Sequence, residues 1–284
     1  MLPERKHTIL QSLIEEYVAS AHPVASSTLV RHYLPRLSPA TVRNELNWLE
    51  HRGYVAQPHT SAGRTPTTVG YRAFVNSLLL HPLHYHSLLS RSRVCEPPDK
   101  DPTQTALNSG STGAFAGNAC LSVLAALAAA SDKLALIHEA LSSVAEHNKG
   151  LMVFWAPQLS HTIIHRGLPQ LLSQPEFAET SSALPIMQLL ESHGDLMVLF
   201  EEIMTTGGLH IKIGSENRDA QFYEFSLVAM QFDSSYLSGN LINSQRNKGR
   251  QRGVVALFGP TRMDYEWAIS LISNLVQDLE CPGH

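Results

Sequence analysis

Cysteine is scarce in this chain, charge is thin, and no long apolar run occurs. Of 284 residues only three are cysteines (Cys95, Cys120 and Cys281), odd in number, far apart and never in a CxxC pair. That argues against a disulfide framework or a structural zinc site and points to a reducing compartment. The longest stretch of small apolar residues, 119–130, is twelve residues and includes Ser122; a membrane-spanning helix needs roughly 20. Met1-Leu2-Pro3-Glu4-Arg5-Lys6-His7 lacks the apolar run of a signal peptide. The expectation is a soluble, cytoplasmic protein with no membrane association. Charged residues make up 16% and hydrophobic ones 43%, too apolar for a disordered chain and ordinary for a globular one. At this length two domains are expected.

The net charge of −4 by itself argues against a polyanionic partner, but the charge is unevenly placed. Residues 1–93 hold ten basic and five acidic side chains, so they carry +5 and the remainder −9. A basic head on an acidic body suits a protein of which one part meets a polyanion while the rest maintains solubility.

The head reads as helices followed by a hairpin. Pro3 and Glu4 open a first helix, in which Ile9, Leu10, Leu13, Ile14, Tyr17 and Val18 recur at helical spacing until His22-Pro23 stops it. Ser26 or Ser27 is placed to cap a short second helix with Leu29, Val30 and Tyr33, broken at Leu34-Pro35. The third helix is the best marked. Ser38 stands as N-cap, Pro39 at the first helical position, Val42, Leu46 and Leu49 along one stripe, and Gly53 past the end. A strand at 54–57, a turn-rich stretch at 58–63 and a return strand at Arg64-Thr65 follow. Pro66-Thr67-Thr68 then opens a helix through Tyr71, Phe74, Val75, Leu78 and Leu79. This is the order of a winged helix-turn-helix.

Residues 95–118 are rich in Pro, Ser, Thr, Gly and Asp, the composition of a linker or loop. An Ala-rich helix is expected over 119–147, its low polarity suited to burial against a second subunit. Beyond it, strands are expected at 151–155, 209–213, 225–229 and 254–258, with helices at 184–192, 196–203 and 265–279. The fold class is α+β. The expected division is a winged helix over 1–85, a linker over 86–118 and an α+β domain over 119–284.

The chemistry lies on the third helix. With its apolar stripe inward, Ala40, Arg43, Asn44, Asn47 and His51 face away. Arg43 can pair bidentately with guanine, and Asn44 or Asn47 with adenine. Ser38, Thr41 and the helix N-terminus can hold a phosphate. Arg64 on the hairpin is placed for phosphate or a minor-groove edge, with His59, Thr60 and Ser61 as neutral phosphate contacts. Any one of these alone fits an ordinary solvated helix; two reading elements side by side favour double-stranded DNA.

Other constellations carry little. His81, His84 and His86 have metal-compatible spacing but no carboxylate or cysteine nearby, and read as a solvated connector. His138-Glu139 and Glu146-His147 form no HExxH, and residues 253–259 lack a GK[ST] ending. Arg246, Lys248, Arg250 and Arg252 read as an exposed basic loop rather than a second nucleic-acid contact. Gly259-Pro260-Thr261-Arg262 resembles an anion-binding helix start, a form that folding or dimer packing explains as readily. No nucleophile–base set stands out, so no enzyme, metal or cofactor is expected.

Several long motifs carry a resemblance. Val24-Ala25-Ser26-Ser27-Thr28-Leu29, Ser38-Pro39-Ala40-Thr41-Val42-Arg43-Asn44-Glu45-Leu46, and Gln57-Pro58-His59-Thr60-Ser61-Ala62-Gly63-Arg64-Thr65-Pro66-Thr67 with Gly70-Tyr71-Arg72 resemble the HrcA family of heat-inducible transcription repressors. Gln174-Pro175-Glu176-Phe177, Gly207-Gly208-Leu209-His210-Ile211-Lys212-Ile213-Gly214-Ser215-Glu216-Asn217 and Gly259-Pro260-Thr261-Arg262-Met263-Asp264-Tyr265 resemble its C-terminal domain. The resemblance adds Arg72 to the DNA-binding set. It implies a homodimer on the CIRCE inverted repeat upstream of chaperonin and DnaK-type chaperone operons. It also implies a GAF-like second domain with an inserted dimerisation segment, and the GroEL chaperonin as a partner keeping the repressor active. Residues 94–150 depart from the pattern and the chain is short there, so either the inserted segment is reduced or the GAF-like core is incomplete. Two rivals remain: a winged-helix repressor of another operon that senses a small ligand through its GAF-like domain, and a chaperonin-interacting protein that no longer binds DNA.

Overall fold

The computed structural model describes residues 2–59, 62–80, 133–157, 163–234 and 252–280. In the head, α1 (Glu4–Ser20) follows Pro3, carries Glu4 in its first turn, and buries Ile9, Leu10, Leu13 and Ile14. It ends where Ala21 turns into the left-handed region and donates its N–H to the Tyr17 carbonyl. α2 (Ser26–His32) starts differently from expectation. Ala25, in the extended region, is the N-cap, so neither serine caps the helix by its side chain. The Ala25 carbonyl accepts from Thr28 and Leu29 instead. In α3 (Pro39–His51), Ser38 Oγ accepts the Thr41 N–H, Pro39 occupies the first turn, and Val42, Leu46 and Leu49 are buried.

Gly53, at φ +76°, lets the chain leave α3 toward β1 (Val55–Ala56). β1 pairs antiparallel with β2 (Thr65–Pro66), and a bridge between Val24 and Arg64 extends the pairing toward the loop before α2. The ladder is short because Pro66 has no N–H to donate. In α4 (Thr68–Leu80), Gly70, Tyr71, Phe74, Val75 and Leu78 face inward. Gly70 is there because of close approach: a Cβ would lie 2.1 Å from the Tyr54 carbonyl oxygen.

The body begins with α5 (Lys133–Asn148), whose end agrees with the Ala-rich helix expected from sequence; residues 119–132 and the linker stretch 86–118 lie outside the described residues. A five-stranded antiparallel sheet follows, in the order β4-β3-β7-β6-β5. Its strands are β3 (Leu151–Trp155), β4 (Ile164–Arg166), β5 (Leu209–Ile213), β6 (Phe225–Asp233) and β7 (Arg252–Pro260). Val153 opposes Ala256, Leu257 opposes Val228, and Val228 opposes Ile211. Three helices, α6 (Leu168–Leu172), α7 (Thr180–Glu191) and α8 (His193–Thr206), connect β4 to β5, and α9 (Tyr265–Glu280) closes the chain.

The sheet is buried on both faces, and its side chains alternate between two cores. Leu151, Val153, Leu227, Ala229, Val254 and Ala256 join Ile186, Phe200 and Ile203 of α7 and α8. Met152, Phe154, Val228, Phe232, Val255 and Leu257 join Ile137 and Leu141 of α5 and Ile269 and Ile272 of α9. Two-sided burial explains why these strands read as unbroken apolar runs. The second core does not stop at the body. It continues through Tyr71, Phe74 and Val75 of α4 into Ile9, Leu13 and Leu46 of the head. The short β4 and α6 were not foreseen; three to five residues are too few for a period to emerge.

Candidate nucleic-acid interface

α3 is held from behind by apolar packing and at its flank by ions. Lys6 Nζ lies 2.6 Å from Glu45 Oε2 and 4.8 Å from the centre of the Trp48 ring, which Arg52 approaches from 5.1 Å. These contacts tie α1 to α3 and fix the rotation of α3 about its axis. What remains outward is the expected face: Arg43, Asn44, Asn47 and His51 are exposed, and Thr41 is half-buried. At the N-terminus the Ser38 and Thr41 oxygens are 2.9 Å apart, while Ser38 Oγ also accepts the Thr41 N–H at 3.0 Å. The serine therefore serves first as a cap.

The hairpin brings Arg64 to the same face, turned inward rather than outward. Arg64 donates its backbone N–H to Val24 and accepts from Val24 in return, at 2.9 and 2.8 Å. Its guanidinium Nη2 stands 3.0 Å from Asn47 Oδ1 and 2.9 Å from Glu50 Oε2, and the side chain is only 15% exposed. His59 is exposed at the turn, where its carbonyl accepts the Ala62 N–H, and the Gln57 amide donates to the Ala62 carbonyl. Thr60 and Ser61 lie outside the described residues. Glu50 is the residue that sequence reading missed. Its signal was the i, i+3 spacing from Asn47, which places both on one helical face.

Arg72 is not part of this face, and its assignment to DNA is corrected. It projects from α4 toward the body, with Nε 2.6 Å from Glu216 Oε1 and Nη2 2.8 Å from the Ile211 carbonyl and paired to Glu216 Oε2. Its charge is answered there. Glu216 Oε2 also accepts the Ile213 N–H, so the pair occupies outward backbone groups of β5, a strand at the sheet's edge.

The remaining motif residues converge on this head–body junction. Arg262 pairs with Glu176, donates to Gln174 Oε1 at 2.9 Å, and donates to the Val18 carbonyl of α1 at 3.1 Å. The start of the last helix thus holds a cation answered by a carboxylate, not an anion site. The Tyr71 and Tyr265 rings lie 5.5 Å apart. Burial raises both phenol pKa values, so both stay neutral. Tyr265 reaches Ser226 Oγ at 2.7 Å and the Thr261 carbonyl at 2.8 Å. Asn217 shares its amide among the Gly214, Phe222 and Phe225 carbonyls.

Of the basic cluster near 250, Arg252 lies in β7 and donates to the Met204 carbonyl and Gln231 Oε1, while 246–250 fall outside the described residues, as do His81, His84 and His86. Among the described residues no three His, Cys, Asp or Glu side chains gather as a metal would require, and no helix is long and apolar enough to cross a membrane.

Taken together, head and body define an α+β protein in which a hairpin-bearing helical head is seated on a helix–sheet–helix body. The chain belongs to the HrcA family: residues 107–269 match the family described as HrcA protein C terminal domain. It is similar along its whole length to two proteins named heat-inducible transcription repressor HrcA. One, from Thermoanaerobacter sp. (strain X514), is 26% identical, with 98% of this chain and 96% of that protein covered. The other, from Brevibacillus brevis (strain 47 / JCM 6285 / NBRC 100599), is 27% identical over 98% and 97%. The first alignment runs over 344 positions against 284 residues here, so the relative carries segments without a counterpart in this chain. A crystal structure titled as that of a hypothetical protein at 2.2 Å resolution has the same fold, with a TM-score of 0.65, 14% identity and 98% of each chain covered. Membership places the chain among transcription repressors rather than enzymes.

Proposed function

We propose that this chain is a heat-inducible repressor that binds double-stranded DNA through α3 and its hairpin, a winged helix-turn-helix, and acts at an inverted repeat as a homodimer. The observation that carries this is the outer face of α3: Arg43, Asn44 and Asn47 stand exposed on a helix whose other faces are fixed by Val42, Leu46, Leu49 and the Lys6–Glu45 pair. Arg43 and the two amides are the side chains that read purine edges in a major groove. Ser38, Thr41 and His59 line the same side for phosphate. The +5 charge of residues 1–93 supports the polyanionic partner.

The finer reading follows the relatives, which are named for heat-inducible repression. The operator is the CIRCE inverted repeat of chaperonin and DnaK-type chaperone operons, the body is a GAF-like regulatory domain with a reduced inserted segment, and the GroEL chaperonin sustains the active form in the cytoplasm. In a dimer two copies of α3 enter successive major grooves, with half-sites separated by turns of ~34–36 Å.

The test is fluorescence anisotropy of the full chain on the CIRCE repeat and on scrambled DNA at two salt concentrations. A preference for the repeat of roughly 10³ or more is expected. Arg43→Ala is expected to lower affinity by ~1–3 kcal/mol and relax one base position. Equal, steeply salt-sensitive binding to both DNAs would overturn the assignment of a specific operator.

A further inference from the structure

We infer that Arg64 and Glu50 act as positioning residues for Asn47, so that the amide of Asn47, rather than the guanidinium of Arg64, meets the DNA. This rests on α3 being the reading helix.

Three observations carry it. Arg64 sits at the base of the hairpin, with its backbone tied on both sides to Val24. Its Nη2 bridges Asn47 Oδ1 at 3.0 Å and Glu50 Oε2 at 2.9 Å, and the side chain is largely buried. Glu50 answers the positive charge, which removes the reason for Arg64 to seek a phosphate. Asn47, by contrast, is exposed on the outer face.

The chemistry at Asn47 follows from this hydrogen bond. A guanidinium only donates, so the amide atom facing it must be the oxygen; the reverse orientation would set donor against donor. With its oxygen turned to Arg64, Asn47 presents its NH₂ group outward as a donor. A donor suits the acceptor edge of guanine, O6 and N7, better than adenine, whose N6–H₂ would oppose it. Glu50 holds the guanidinium, the guanidinium holds the amide, and the amide reads a purine. This replaces the pairing of Asn47 with adenine expected from residue type alone.

The test uses the full chain and an operator half-site in which each base pair is changed in turn, with the slope of log K against log salt measured for every variant. Asn47→Ala and Arg64→Ala are expected to lose discrimination at the same base pair, by roughly ten-fold, with the salt slope unchanged. Arg64→Lys keeps the charge but lacks the fork to span two acceptors, and is expected to behave like Arg64→Ala. Glu50→Gln leaves the guanidinium uncompensated and is expected to steepen the salt slope while blunting discrimination at that position. The relay is overturned if Arg64→Ala weakens all sequences alike and lowers the slope by about one, or if Arg64→Lys binds as wild type does; either result makes Arg64 a phosphate contact. A wild-type protein with no preferred site would instead remove the reading helix itself, an outcome distinct from these.

Discussion

Tyr71 and Tyr265 meet at the centre of the junction, yet their hydroxyls stand in opposite circumstances. Tyr265 OH is bonded to Ser226 Oγ and the Thr261 carbonyl. Tyr71 OH is buried with no hydrogen-bond partner among the described residues. A buried hydroxyl without a partner contributes desolvation cost and nothing in return, whereas removing a bonded one strands its neighbour. Tyr71→Phe is therefore expected to leave stability unchanged within ~0.5 kcal/mol or to raise it. Tyr265→Phe leaves the fully buried Ser226 without that partner and is expected to cost about 1–3 kcal/mol. Urea unfolding of the two variants checks the contrast, and equal losses would mean that Tyr71 OH has a partner outside the described residues. The same accounting separates Arg64 from Arg72. Both are arginines in one basic head, and each is defined by the carboxylate it meets, Glu50 in the first case and Glu216 in the second.

At the scale of elements, α3 was legible because its signals are local. A serine cap, a proline one residue on, an apolar stripe and a terminal glycine lie within sixteen residues, and each acts on its own neighbours. The body strands were legible as continuous apolar runs. What could not be read locally was partner choice. Arg72 and Glu216 are 144 residues apart, and Arg262 and Val18 are 244 apart; no periodicity encodes such pairings. Gly63 belongs to the same category, since its need for a missing side chain comes from another segment. A Cβ there would lie 2.4 Å from the backbone carbon and oxygen of Val24, which the neighbouring Arg64 must pair with. Gly63→Ala is expected to cost about 1–3 kcal/mol through forced backbone displacement, read as a lower urea midpoint. Gly194, in the first turn of α8, has nothing within 4 Å of its added Cβ. Gly194→Ala is expected to be neutral or stabilising by up to ~1 kcal/mol. A similar loss in both would show that the close approach at Val24 is not what selects glycine.

At the scale of the whole molecule, head and body share one core, and polar bonds clamp its rim. The apolar cluster runs from Ile9 and Val75 to Tyr265 and Ile272, while Arg72 and Arg262 bind the head to Glu216, Glu176 and the backbone of Ile211 and Val18. A head attached in this way transmits rather than floats: any state of the body that shifts Glu216 or Arg262 pulls on α4 and α1, and α1 sets α3 through Lys6 and Glu45. Cooperative unfolding follows from the same contacts. Trp48 reports on the head, and Trp155 and Trp267 on the body. With either set replaced by Phe, the two fluorescence transitions in urea are expected to coincide. Replacing Arg72 and Arg262 together by Ala removes the charged clamps and leaves Glu176 and Glu216 without them. Their partial exposure limits the cost to about 2 kcal/mol. That loss falls on the junction, so the Trp48 transition is expected to move to lower urea than the Trp155 and Trp267 transition. Separate transitions in the otherwise unaltered chain would show that the head folds alone, and the shared core would then be contact without coupling.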